Sequence, residues 1–587
     1  MREIHKFRFK GIFVILFVFA AISTVLFVEL SGVQTNRYQR QLELLPQDQS
    51  ITKEEVCADL PKNTLLLMNS GEASSRIAYE QFQVILNDMK VGYTVYDLAD
   101  NPVPALESWE TVIVLLSDLA PMGEDVLTLC DHVYGGAAAW FPLTLETNVY
   151  SNVINQMIGI DVNAPSYHTV ESIYINEEFM IGGGRAFSIA DPFESSKTVV
   201  LNEQTTTVYA SADTPDGLPL VWKTKYGEGT FVVDNIGIYD KAMRGFYVAS
   251  YSLLHDVSVY PVINASVFYL DDFPSQIPNG SSEYIQRDYQ TTIRDFYINI
   301  WWPDMMNIAD QYGLKYTGLA IESFDNRVDG TTEGALDTGT FLNFGNMLLR
   351  KGGELGYHGY NHQPLCLGNC DYKGVYDYKT WDSLEAMKAA FDELVSVCEE
   401  LFEDAEFALY VPPSNLLSKE GRDFLISEYP NIKTISGIYF EDAGDDLDFS
   451  CLQEFSVEED GVVDQPRVIF SFIMDEFTSM AAVSELNFHF VNSHFTHPDD
   501  ALDPERGAEL GWEELKNRFR GYLSWLYGSA PGLRNLTGTE TSAALQRFAA
   551  VSHKMEYTES GVNISIDNFF DEAEEHAKFL IEAVRVK

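Results

Sequence analysis

The chain has 587 residues, 46% of them hydrophobic and 13% aromatic, which allows a large core and excludes global disorder. It carries 88 acidic against 39 basic side chains, a formal net charge of −49. That balance excludes nucleic acid as a partner, since phosphate backbones are gripped by lysine and arginine. It suits a high-salt setting, a cationic partner such as an amino-sugar polymer, or a solvating surface alone.

The length allows roughly two to four domains. Arg2, Lys6, Arg8 and Lys10 precede an uncharged apolar run from Gly11 to Val28. Eighteen residues is near the lower limit for crossing a hydrocarbon core of roughly 30 Å. The basic flank places the remainder outside the cytoplasm, so residues 1–30 read as a membrane anchor on a single-pass cell-membrane protein. A cleaved signal peptide is the competing reading, and no clear A-x-A site follows Val28. Residues 31–61, rich in Gln, Glu and Asp, read as a linker.

From 62 to 255 the pattern alternates strand and helix: NTLLLMN, YEQFQVILNDMK, YTVYDL, TVIVLLS and EDVLTLCDHVY. This is an α/β layer pattern with a parallel sheet. The region resembles the class I glutamine amidotransferase-like fold. Members that catalyse carry a cysteine in a glycine-flanked elbow, whereas this chain reads GGAAAWFP at 135–142 and offers no nucleophile. The unit is therefore expected to be non-catalytic. Six cysteines are too few for a disulfide scaffold, and CLGNC (366–370) reads first as a local disulfide and second as free thiols.

The second unit, 260–545, carries the chemistry. VINASVFYL reads as a strand ending in Asp271 and Asp272. Adjacent carboxylates at a strand's end can divide metal binding from proton transfer, although DD is also a common turn pair. ELGYHGYNH (354–362) sets His358 and His362 four apart, and either a helix or a loop would bring the rings together. FALYVPPSN and KTISGIYF read as short strands, LNFHFVNSHFTHP as another, and candidate polar groups recur at strand ends between helices. In a βα barrel such ends converge on one face. Residues 546–587 read as a small β-containing appendage, a hairpin followed by a helical stretch.

In their order and spacing these segments resemble the polysaccharide deacetylase superfamily, with its NodB-homology or carbohydrate esterase 4-like fold. More narrowly they look like a DUF2194-type branch and the deacetylases of Pel-like exopolysaccharide systems. YLDD (269–272) matches the aspartate motif, HGYNH (358–362) the histidine motif, YVPPSN (410–415) the arginine–proline motif, and SHFTHP the final histidine motif. The resemblance implies a distorted (β/α) barrel in which Asp272, His358 and His362 hold a divalent metal, with Asp271 as general base. Zinc is the first expectation, with cobalt, nickel or manganese also suited to one carboxylate and two imidazoles. It further implies de-N-acetylation of an extracellular N-acetylhexosamine polymer during exopolysaccharide or biofilm production, with other polysaccharide-synthesis proteins as further partners. The alternatives are a sugar-binding or assembly protein on a degenerate fold and a glycosidase using paired carboxylates.

For the general acid, strand alternation separates His494 from His497 and places His497 at the barrel mouth; a bulge would bring in His494 instead. Tyr360, inside the histidine motif, and Tyr410 are candidate substrate contacts. Tyr410 stands where the family's arginine would steady the base aspartate, which leaves that aspartate without its expected partner.

Overall fold

The computed structural model describes residues 42–587 apart from 238–239, 334–336, 442–446, 559–560, 570–577 and 583–587. Before residue 42 it describes only Val14 and Leu16–Phe19, which are helical and exposed. The expected anchor thus lies almost wholly outside the described residues, among which no helix is long and apolar enough to cross a membrane.

Nine strands form the first sheet: β1 (Lys62–Met68), β2 (Gly92–Asp97), β3 (Thr111–Leu115), β4 (Ala138–Phe141), β5 (Ile160–Ile175), β6 (Arg185–Leu201), β7 (Thr206–Ala212), β8 (Pro219–Tyr226) and β9 (Gly229–Asp234). Their order is β2-β1-β3-β4-β9-β8-β7-β5-β6, parallel as far as β9 and antiparallel beyond it. Period-two alternation in β1 explains why helices cover both faces. Leu66 and Met68 pack with Phe82 and Ile85 of α1 (Ala73–Asp88), while Leu65 and Leu67 pack with Val126 and Leu129 of α2 (Asp125–Tyr134). Cys130 is buried on α2, where desolvation pushes its thiol up to about 12, and it is inert at neutral pH.

After β10 (Ser258–Val262), the second sheet comprises β11 (Ala265–Phe273), β12 (Tyr316–Ile321), β13 (Glu354–Gly359), β14 (Leu409–Tyr410), β15 (Thr434–Ile435), β16 (Ser456–Val457), β17 (Val463–Asp464), β18 (Ile469–Phe470) and β19 (Val491–Thr496). The order is β16-β17-β15-β14-β13-β12-β11-β19-β18, parallel except between β16 and β17. The expected barrel is therefore not closed by continuous pairing. It is a curled half-barrel whose opening is spanned by an isolated bridge between Ile438 and Arg467. There the Arg467 amide donates to Gly437 O and its carbonyl accepts from the Tyr439 amide, while the next amide, Val468, donates to Ser493 O beside β18. Every residue of β11 is buried, as expected for a central strand covered on both faces.

Three local expectations are corrected. LNFHFVNSHF is not one strand: α3 (Glu476–Phe488) runs through Phe488, and only Val491–Thr496 is extended. Buried apolar runs of that length do not distinguish helix from strand by pattern. In the C-terminal part, β20 (Ser552–Thr558) and β21 (Gly561–Asp567) pair as the expected hairpin. Lys578–Glu582, however, is a strand, β22, against β10 and not a helix. All six cysteines, Cys366 and Cys370 included, are free thiols.

The two sheets share one continuous apolar core, running from Leu66 and Phe82 to Leu486 and Phe548. A buried charge cluster also joins them. Asp88 of α1 accepts from Lys53 Nζ at 2.9 Å and meets His489 Nε2 at 3.1 Å, and His489 Nδ1 lies 2.7 Å from Glu485. Burial opposes a charged His489, but Glu485 and Asp88 outweigh it and raise its pKa.

Candidate metal centre

β11 ends on Asp271 and Asp272, and successive residues of a strand face opposite ways. Asp272 escapes that rule because its φ is 54°, and His362 on the loop after β13 has φ 59°. Left-handed backbone at a non-glycine residue costs on the order of 1–3 kcal/mol and is retained where the surroundings enforce it. Here it turns Asp272 and His362 toward His358, which β13 itself presents. The two histidines thus converge through strand and loop, not along a helix.

Asp272 Oδ1 lies 3.2 Å from His362 Nε2 and 3.6 Å from His358 Nε2. His358 Nδ1–H donates to Val411 O at 2.8 Å, so the lone pair of the neutral ring is on Nε2, aimed at the carboxylate. His362 Nδ1 is 3.1 Å from the Tyr378 hydroxyl, which lies 2.7 Å from Ser414 Oγ, leaving His362 Nε2 for the same point. The three side chains are between 2% and 10% exposed, and Asp272 Oδ1 has no hydrogen-bond donor. Burial pushes Asp272 up to about 7 and pulls His358 down to about 4, with His362 well below its usual range. A buried carboxylate with two neutral imidazoles aimed at it is costly alone and is relieved by a cation. Among the described residues this is the one group of His, Cys, Asp and Glu with ligand atoms close enough to hold a metal ion. One oxygen and two nitrogens also form a donor set suited to zinc.

Asp271 faces elsewhere. Its Oδ2 forms a buried ion pair with Arg467 Nη1, and His497 Nε2 lies 3.7 Å from the same oxygen. Burial favours the neutral acid, but Arg467, with smaller help from His358 and His497, holds the carboxyl below its usual range. Asp271 Oδ1 keeps no hydrogen-bond partner, which leaves a lone pair free to take a proton. The arginine that the YVPP segment lacks thus arrives from a different part of the chain. Arg467 also bonds Asn415 Oδ1 and Gly437 O, which fixes its fork.

Just past β19, His497 is poised by Asp500. Its Nδ1 is 3.5 Å from Asp500 Oδ1, and Asp500 accepts from the His497 amide at 3.2 Å. Arg506 anchors Asp500 at 3.2 Å and Asp499 at 3.3 Å. Burial disfavours the charged ring, yet Asp500 prevails and raises His497 to about 9. His494 is elsewhere: its Nε2–H donates to Ser471 O at 2.7 Å, and its ring packs among Phe268, Phe519 and Tyr522. The structure therefore brings Asp271, Asp272, His358, His362 and His497 together and leaves His494 behind the sheet.

The tyrosines are differently placed. Tyr410 is fully buried against Phe391, with no partner for its hydroxyl. Tyr360 is 3% exposed, its hydroxyl donating to Glu333 O and accepting from the Glu333 amide. Neither presents a free face to a polymer. Sequence reasoning missed Arg467, Tyr378, Asn415, Asp500 and Arg506. Only two carried a local signal: Asn415 closes the YVPPSN segment, and Asp500 stands three residues after His497 in HPDD.

A model of the family described as an uncharacterised protein conserved in bacteria (DUF2194) matches residues 193–582. The chain belongs to the DUF2194 family. No curated protein matches this DUF2194 member. Among solved structures, a provisionally assigned polysaccharide deacetylase from Mycobacterium smegmatis is similar at 14% identity and TM-score 0.28, covering 48% of this chain and 89% of its own. A cytoplasmic protein from Salmonella typhimurium LT2 is similar at 10% identity and TM-score 0.26, covering 33% and 100%. A β-galactosidase from Rahnella sp. R3 is similar at 12% identity and TM-score 0.26; the DUF2194 chain spans only 34% of that enzyme's length, over 34% of its own. At these scores the likenesses bear on neither substrate nor reaction.

Proposed function

We propose that this DUF2194 protein is a metal-dependent hydrolase that removes acetyl groups from the amino sugars of an extracytoplasmic polysaccharide. The observation that supports it is the separation of three jobs within one buried cluster: Asp272, His358 and His362 to hold a cation, an ionised Asp271 paired with Arg467, and a protonated His497. A divalent cation in that donor set supplies Lewis-acid polarisation of an amide carbonyl and acidifies water. Asp271, kept ionised by Arg467, takes the proton from the attacking water through its unpartnered Oδ1. His497, charged at neutral pH because of Asp500, gives its proton to the departing amine nitrogen. Zinc is the cation we favour.

The same arrangement argues against a glycosidase. Asp271 is committed to Arg467, and Asp272 faces two imidazoles, so the pair does not flank a sugar ring as acid and nucleophile would. Membrane attachment through residues 11–28, and a working partnership with polysaccharide-synthesis proteins, belong to this reading and rest on the sequence alone. Acetate release from N-acetylglucosamine and N-acetylgalactosamine oligomers, with and without added zinc, tests it. Zinc-dependent acetate supports the hydrolase. No acetate from metal-loaded protein across the panel would favour the sugar-binding alternative.

A further inference from the structure

Away from the metal centre, a cavity of about 330 Å³ opens between the first sheet and the helices behind the second. Arg185 at the start of β6, Met474, Ser479 of α3, and Arg518, Tyr522 and Trp525 of α4 (Trp512–Ser529) line it. Its size is within the range that holds a small ligand. It shares no residue with the metal centre.

Arg185 is the unusual member. Its guanidinium lies over two aromatic rings, 4.4 Å from the Phe187 centroid and 5.1 Å from that of Trp525. Among the described residues it makes no ion pair with a carboxylate, and desolvation alone moves its pKa, downward. It therefore brings a positive charge to the cavity that no carboxylate ion pair offsets, in a chain with 88 acidic side chains. Aromatic stacking holds a guanidinium by its faces and leaves its in-plane donors free for a planar anion.

The wall is built as closely as the charge. Gly182 has φ +84°, and a Cβ there would meet Trp525 Cζ2 at 2.8 Å. Its carbonyl accepts from Trp525 Nε1 at 3.3 Å, which fixes the indole beside Arg185. Tyr522 is fixed from below by its hydroxyl, which donates to Asn492 Oδ1 at 2.6 Å.

We infer that this cavity binds a saccharide residue bearing one carboxylate, a uronic acid. Arg185 and Arg518, less the Glu514 that pairs with Arg518 at 2.9 Å, leave one positive charge, the complement of a single carboxylate. Indole, phenol and thioether walls match the C–H face of a sugar ring, and Ser479 offers a hydroxyl to its polar edge. A bare phosphate needs donors but no such wall, and a nucleotide brings more negative charge than the site offsets. This inference stands apart from the deacetylase reading, because the cavity is separate from the metal ligands.

Titrating the full chain with methyl β-D-glucuronide, observed by ligand-detected NMR and calorimetry, tests it. The expected result is saturable binding at least tenfold tighter than to methyl β-D-glucoside, which lacks only the charge, and tighter than to inorganic phosphate or AMP. R185M should weaken glucuronide binding at least tenfold while retaining metal content and melting temperature; R518Q, which keeps the stacked fork, should weaken it less. Binding of glucoside as tight as glucuronide, of phosphate or AMP as tight as either, unaltered affinity in R185M, or no saturable binding would each overturn the proposal.

Discussion

Replacing Arg467 with methionine gives the sharpest test of how the base is set. The Arg467 and Asp271 side chains are 1% and 3% exposed, so the pair is buried and water screens neither charge. Removing one partner of such a pair costs about 3–5 kcal/mol, because the remaining charge has no compensation. Part of that cost is recovered when Asp271 takes up a proton, at about 1.4 kcal/mol per pKa unit. In the wild type Asp271 is held below its usual range. Its contribution to stability is therefore present above the unfolded value of about 3.9 and is lost as pH falls through the folded value. In Arg467→Met the folded carboxyl rises above about 3.9, so the variant loses stability as pH climbs through that window. Urea unfolding from pH 4 to 8 should show a deficit that is small at the acid end and grows to the full amount near neutrality. Bound metal should be retained, since Arg467 touches none of the three ligands, while acetate release falls by about 10²–10⁴-fold, the worth of a lost base. Arg467→Lys should recover part of both. A deficit independent of pH, or an undiminished rate at neutral pH, would refute the reasoning.

Four further outcomes are expected. His358→Ala and His362→Ala should each lose most bound zinc by elemental analysis, whereas Asp271→Asn keeps zinc and loses about 10²-fold or more in rate; zinc loss in Asp271→Asn would reverse the roles given to the two aspartates. Tyr378→Phe, which removes the hydroxyl fixing His362, should weaken zinc affinity about 10–100-fold in competition with a chelator. His497→Ala should keep metal and lose the reaction, while His494→Ala keeps a measurable rate. Asp500→Asn should draw His497 down from about 9, so the alkaline limb of the rate profile moves to lower pH because the acid must enter protonated; an unmoved limb would remove His497 from that role.

The strand ends that carry the candidate metal group were legible because they are short, local patterns: buried β-branched and aromatic runs ending in DD, and a glycine-rich turn leading into HGYNH. Alternation distinguished His494 from His497 even though the segment was misread as one strand, because Val491–Thr496 does alternate and His494 does face the helices. Arg467 was not legible. Its position is set by a bridge across the half-barrel's opening, 196 residues from Asp271, and no local pattern encodes that meeting. Tyr378 was hidden for a related reason, reaching His362 from a loop with no periodicity. Tyr410 was misjudged because a motif match fixes where a residue falls in the chain but not which way its side chain points.

The charge cluster between the sheets bears on how this protein can be divided. A fragment beginning at residue 193, where the family match starts, would cut β6 and remove β5, α1 and Asp88 together. His489 would then keep Glu485 but lose its second carboxylate, and the apolar surfaces of Leu486 and Phe548 that now pack in the shared core would meet water. The boundary of the family match is therefore not a boundary of packing: the apolar core that joins the two sheets extends beyond the matched segment.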